Sequence, residues 1–178
     1  MSNEIRLTPT SYVVLGLLEL LGGEATPYEL KQAAASSVGD LWSLHHAQLY
    51  GEPERLATAG LVSERREQTG RRRRHYSLTS AGRGALESWR SQPTDAFTEL
   101  RDPGLLQLFF GADPGRLAPV QLAVHERKLA EYEEMLRAAG DEPRTGPMLA
   151  LEAGIGHERE WVRFWTGLCR ATTLQPLT

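Results

Sequence analysis

Three helix-length segments, each closed at a glycine, run into a short hairpin, and a fourth helix follows it. This order constrains the fold of the 178-residue chain more than any other feature. Thr8-Pro9 opens the first segment. A threonine oxygen accepts from the free N–H groups of a first turn, and proline suits the first helical position. Tyr12, Val14, Leu15, Leu17, Leu18 and Leu21 follow helical spacing, and Gly22-Gly23 stops the helix. Thr26-Pro27 opens a second helix, with Thr26 and Glu29 at capping-box spacing. It runs to about Ser36 on a modest apolar face of Tyr28, Leu30, Ala33 and Ala34. Gly39-Asp40 breaks the chain, and a third helix is predicted over 43–59, closed by Gly60. Leu49 and Leu56 share one face of it; Trp42 and Leu49 are assigned to the core. Pro53 lies inside, where proline removes a hydrogen bond at a cost of about 3 kcal/mol. Two alternatives stand: a kink at Pro53, or a turn at 43–50 ahead of a helix starting near Pro53.

The hairpin consists of 61–67 and 73–78 around Gln68-Thr69-Gly70. Thr79 then caps a fourth helix to about Ser91, with Leu86 and Trp89 facing inward. Arg71, Arg72, Arg73 and Arg74 stand at the hairpin tip. The whole chain carries a formal net charge of −3, so any contact with nucleic acid must come from a local patch. Residues 41–90 form such a patch, with nine Lys and Arg against five Asp and Glu. Helix, helix, helix, hairpin is the order of a winged helix-turn-helix, in which the third helix enters the major groove and the wing lies on the backbone. A run of arginines is by default a solvated loop. At a wing tip it is placed to meet phosphates or the minor groove.

Residues 93–178 are acidic, with nine Lys and Arg against thirteen Asp and Glu. A short apolar helix is predicted at 103–110, a long one at 114–139 and a last one at 148–171. Their apolar faces exceed what one small subunit can cover, which implies a helical dimerisation domain. The predicted fold is thus mainly α with a small β-hairpin: a winged helix-turn-helix domain over 1–92 and a helical dimerisation domain over 93–178.

Several classes are excluded or disfavoured. The single cysteine, Cys169, forms no intrachain disulfide, and the longest N-terminal apolar run is too short for a bilayer. A soluble, cytoplasmic protein is expected. No nucleophile elbow, phosphate-binding loop, dinucleotide fingerprint or zinc spacing is present, so neither an enzyme nor a cofactor is expected. His45, His46 and His75 have no thiol or carboxylate at ligand spacing beside them, and no metal site is expected.

Across these segments the chain resembles the PadR-like transcriptional regulators, in the subgroup with a C-terminal helical domain. The resemblance rests on Tyr28-Glu29-Leu30, on Trp42 followed by Gln48-Leu49-Tyr50, and on Arg55-Leu56 with Gly60-Leu61-Val62. It continues through Tyr76-Ser77-Leu78-Thr79 with Gly82, Leu86 and Trp89, then the stretch from Leu106 to Gly111, and finally Gly154-Ile155 and Trp161. It implies a homodimer that binds operator DNA through its winged domain, pairs through its C-terminal helices, and acts as a repressor released by a small molecule. Glu52-Pro53 departs from the smoother recognition helix of many relatives.

Candidate DNA contacts follow. Ser43, His45, His46, Gln48 and Tyr50 stand at the front of the third helix, where recognition helices touch base edges. An amide such as that of Gln48 bonds adenine bidentately. Arg55 is a candidate phosphate contact or salt bridge. Tyr28, with the free N–H groups of the second helix, is a candidate phosphate site, set against a half-buried core tyrosine. Arg71, Arg72, Arg73 and Arg74 are the wing contacts. Trp89, Phe109, Trp161 and Trp165 are candidates to line an effector pocket for a flat aromatic ligand, set against plain core or dimer packing. The competing non-enzymatic reading is a winged-helix protein-interaction module without specific DNA binding.

Overall fold

The computed structural model describes residues 5–42, 46–68, 72–140 and 144–174. The chain forms two compact units, Met1–Ala96 and Phe97–Thr178. It is mainly helical with a small antiparallel sheet, and the first unit is a winged helix-turn-helix.

In the first unit the cap chemistry sets the helix starts. Helix α1 (Pro9–Leu20) begins where Thr8 Oγ1 accepts from Ser11 N and Ser11 Oγ accepts from Thr8 N, a reciprocal box. It ends at Gly22 and Gly23, whose φ values of 83° and 101° suit residues without a Cβ. Strand β1 (Glu24–Ala25) follows, then α2 (Pro27–Ala35), opened by the Thr26–Glu29 box. A 3-10 turn, Val38–Asp40, leads towards α3 (His46–Thr58). Helix α3 runs continuously through Pro53, whose ring is fully buried. Burial of the ring offsets the lost backbone bond, so the alternative of a helix starting near Pro53 does not apply.

Strands β2 (Val62–Arg66) and β3 (Arg74–Leu78) form the hairpin in the register Val62↔Leu78 to Arg66↔Arg74. Strand β1 pairs with the other edge of β3, Ala25 opposite Tyr76, so β3 is the central strand. This third strand is not foreseen by the sequence reading. The core gathers Val14, Leu15, Leu18, Leu30, Leu56 and Tyr76, with Leu49 as assigned. Trp42 corrects the other assignment: it is 47% exposed, because the 3-10 turn leaves Leu41 and Trp42 on the outer side.

Helix α4 (Ser80–Arg90) is set by Thr79, whose hydroxyl accepts from Gly82 N and lies 2.8 Å from the Leu61 carbonyl. Gly82 lies against the hairpin so closely that a Cβ would stand 2.1 Å from the Leu61 carbonyl oxygen. Gly82→Ala is therefore expected to push α4 off the hairpin. The loss should be about 1–3 kcal/mol or more. Circular dichroism melting should show it as a drop of roughly 5 °C or more in Tm. An unchanged Tm would contradict this packing.

In the second unit, Asp102 caps α5 (Pro103–Phe109) and Asp113 caps α6 (Pro114–Ala139). Helix α7 (Gly146–Leu174) starts earlier and ends later than predicted. Helices α6 and α7 lie alongside each other: His125 meets Glu158, and a Cβ at Gly154 would stand 3.1 Å from the Tyr132 ring. Of the larger side chains in this unit, Ile155 and Trp165 are buried. Phe97, Phe109 and Phe110 are 96%, 82% and 78% exposed.

Candidate nucleic-acid interface

Helix α3 buries Leu49, Pro53 and Leu56 and turns the opposite side outward. Gln48 and Tyr50 are exposed there, with Ala47, Gly51 and Glu54. Gln48 stands in the first turn of α3, the place from which recognition helices reach bases. Ser43, His45 and Arg71 lie outside the described residues; His46 opens α3, and its side chain is likewise outside them. Gly51 is a position the sequence reading passed over. Among the described residues nothing lies within 4 Å of where its Cβ would be, so no described neighbour requires glycine there. A glycine on an exposed helical face costs about 1 kcal/mol relative to alanine. That cost is the signal that could have marked it, since a bare backbone lets a partner approach closely.

The wing divides its arginines into two sets. Arg65 bonds Glu24 at 2.9 Å and Arg66 bonds Glu64 at 2.6 Å. Arg74 Nη1 lies 3.2 Å from Glu54 of α3, and its Nε lies 3.6 Å from Glu64. His75 sits between Glu67 (3.1 Å) and Glu24 (3.4 Å). The carboxylates record this company. Hydrogen bonds from Ser77 and Arg65 hold Glu24 below the usual carboxylate range, and the bond to His75 does the same for Glu67. Water screens exposed pairs of this kind, so they orient more than they stabilise. Arg72 and Arg73 are different. Both are exposed, and their side chains make no hydrogen bond or ion pair with other described residues. The Arg73 backbone closes the hairpin, its carbonyl accepting from Glu67 N at 3.0 Å, while Arg72 adopts a left-handed φ of 48°.

Tyr28 is exposed, which corrects the half-buried alternative. Its phenol oxygen accepts from Gln32 Nε2 at 2.7 Å, leaving the hydroxyl proton to donate outward. The N-terminus of α2 itself is occupied: Glu29 accepts from Thr26 N and is held below the usual range by that bond and by the Thr26 hydroxyl. A phosphate there would meet a carboxylate. Arg55 is turned inward, bonding Glu52, Ser11 and the Arg6 carbonyl.

Each unit holds its own aromatic candidates, and in the second Phe164 links Trp161 to Trp165 by edge contacts. Trp89, in the first unit, stacks on Tyr12 at 4.7 Å. In the second unit Phe109 meets Phe110, Trp165 is buried, and Trp161 stacks on His125, which is paired to Glu158 at 2.6 Å. An open cavity of about 550 Å³ between α6 and α7 is lined by Glu133, Leu136, Arg137, Glu152, Ile155 and Arg159, and by none of the four. Among the described residues no three His, Cys, Asp or Glu side chains are gathered to hold a metal ion. No helix among them is long and apolar enough to cross a membrane.

Comparison with known proteins adds sequence and fold relatives. Residues 14–88 match the transcriptional regulator PadR-like family, and residues 100–169 match the C-terminal region of the virulence activator alpha family. The negative transcriptional regulator PadR of Bacillus subtilis is 27% identical over 168 residues, covering 85% of this chain and 90% of its own length. The crystal structure of Bacillus subtilis PadR in complex with operator DNA superposes with a TM-score of 0.80 at 22% identity, covering 94% of this chain and 99% of that one. The same regulator in complex with p-coumaric acid gives a TM-score of 0.69 at 23% identity, covering 92% and 97%.

Proposed function

The chain belongs to the PadR-like family of transcriptional regulators, and from that premise we propose that it binds an inverted-repeat operator as a homodimer and represses transcription. The observation that carries the reading is the pairing, within one unit, of an exposed Gln48 and Tyr50 on α3 with Arg72 and Arg73 of the wing, whose guanidinium groups bond no described carboxylate. One set is shaped to read base edges and the other to neutralise phosphates. Tyr28, its phenol oriented by Gln32, adds a backbone contact. Arg74 lies 3.2 Å from Glu54, an exposed ion pair that bridges the wing and α3.

The first unit is the DNA-binding domain and the second the dimerisation domain. The exposed Phe97, Phe109 and Phe110 support the second assignment, since such rings are costly to leave in water. The negative regulator of Bacillus subtilis supports repression, and its complex with p-coumaric acid supports release by a small aromatic effector. Trp161 is the best placed of the four aromatic residues to stack on that effector, because its ring is partly exposed and braced by His125. The protein acts in the cytoplasm and catalyses no reaction.

Selection of bound duplexes from a random library by the full-length chain tests the reading. A two-fold dimer should recover an inverted repeat with half-sites about 10 base pairs apart, or a multiple of that. Recovery of direct repeats or single half-sites would contradict the symmetric dimer, and recovery of no preferred sequence would contradict operator binding.

A further inference from the structure

Resting on the operator-binding reading, we propose that Glu52 and Arg55 are positioning residues that fix the recognition helix on α1, and that neither touches DNA. Ser11 is the hinge of the arrangement. It is fully buried in α1, yet its hydroxyl is fully used: it accepts from Thr8 N at 2.8 Å and from Arg55 Nη2 at 2.9 Å, and donates to Glu52 Oε1 at 2.6 Å. Glu52 and Arg55 meet bidentately, Nε to Oε2 at 2.9 Å and Nη2 to Oε1 at 2.6 Å. Arg55 Nη1 also donates to the Arg6 carbonyl at 3.2 Å, ahead of α1.

The place of this cluster along α3 gives it its role. Pro53 has no N–H to give the Leu49 carbonyl, so α3 loses a rung of its own ladder beside Glu52. Side chains at 52 and 55 hold the helix to α1 where its backbone holds it least. Glu54 then ties α3 to Arg74 of β3. Helix α3 is thereby held to α1 on one side, and on the other an exposed ion pair bridges it to the wing. Glu52, 12% exposed, has two neighbours that neutralise and orient it, so it adds little repulsion to an approaching phosphate.

This arrangement predicts an effect opposite in sign to simple electrostatics. Glu52→Gln removes a negative charge beside a DNA-binding face. On charge alone it should tighten binding to every duplex, and all the more so by releasing Arg55 to reach a phosphate. As a positioning change it should do the reverse, because an amide cannot accept from Ser11 and both Arg55 nitrogens together. Arg55→Lys keeps the charge and loses the fork, so a phosphate contact would survive it and the clamp would not.

The test uses the full-length chain on its selected operator and on a scrambled duplex, at several salt concentrations, with melting followed by circular dichroism. The parent is read first. If it prefers no sequence, the operator-binding reading fails and the clamp falls with it. With the parent specific, each variant should lose about tenfold or more on the operator, the loss carried by a misplaced base contact. Binding to the scrambled duplex should stay within about twofold, and the salt slope should not change. Equal or tighter operator binding by Glu52→Gln overturns the clamp. A fall on both duplexes with a lower salt slope for Arg55→Gln overturns it as well, making Arg55 a phosphate contact. Should Glu52→Gln melt below the working temperature, Arg55→Lys decides: parental operator affinity overturns the proposal, and selective loss upholds it.

Discussion

A full-length chain carrying Phe109→Asp and Phe110→Asp is expected to run as a monomer in light scattering and to lose a hundredfold or more in operator affinity. Both rings stand almost wholly outside their own subunit, in edge contact with each other at 5.2 Å. Replacing them therefore removes little from the fold of the subunit. Burial of one phenylalanine is worth about 1.5–3 kcal/mol. A two-fold dimer loses each ring twice, about 6–12 kcal/mol in all, against about 12 kcal/mol for a whole nanomolar association. Four buried carboxylates would add a desolvation cost on top. The monomer then meets each half-site separately and forfeits the avidity of linked sites, a factor of about 10²–10⁴. A variant that stays dimeric with parental operator affinity would place the interface elsewhere.

The helix starts were the most legible part of the fold because each carries its own chemistry. Thr8-Pro9, Thr26-Pro27 and Thr79 all cap as their residue types require. Strand β1 was invisible for the opposite reason. Two residues have no periodicity to read, and the strand exists because β3 offers an open edge and Leu78 N donates to the Gly23 carbonyl. Pro53 posed a local conflict that only burial resolves, and burial is a tertiary property. Trp42 shows the converse: an aromatic beside a helix reads as core, whereas a 3-10 turn of three residues leaves it outside.

At the candidate interface the sequence showed where cations cluster but not which are already held. Glu52 lies three residues before Arg55, yet the Ser11 that completes their cluster is more than forty residues away. Arg74 belongs to the same run as Arg72 and Arg73, and pairing across to α3 sets it apart. A run of like charges thus separates into struts and contacts only when its partners fold around it.

The same separation yields the last expected result. Changing Arg72 and Arg73 together to alanine should weaken every duplex alike, while Gln48→Ala should weaken the operator alone. The two arginines are exposed at the wing tip, and neither guanidinium hydrogen-bonds a described carboxylate. Removing one phosphate interaction lowers the salt slope by about 0.9, so removing four from the dimer lowers it by about 3–4 and costs roughly a thousandfold at 0.1 M salt. Operator preference over a scrambled duplex should survive, because phosphates position the protein and bases specify the site. Gln48 stands in the first turn of an unbroken α3, on its exposed side. Deleting a bidentate bond to a base costs about 1–3 kcal/mol in each half-site, or about 2–6 kcal/mol for the symmetric pair. The salt slope should not move, since no phosphate charge is touched. Titrations of both variants against operator and scrambled duplex at several salt concentrations separate the two effects. Parental binding of both duplexes by Gln48→Ala would pass the reading of bases to Tyr50 or to the residues ahead of α3. An unchanged salt slope in the arginine variant would remove the wing tip from the interface.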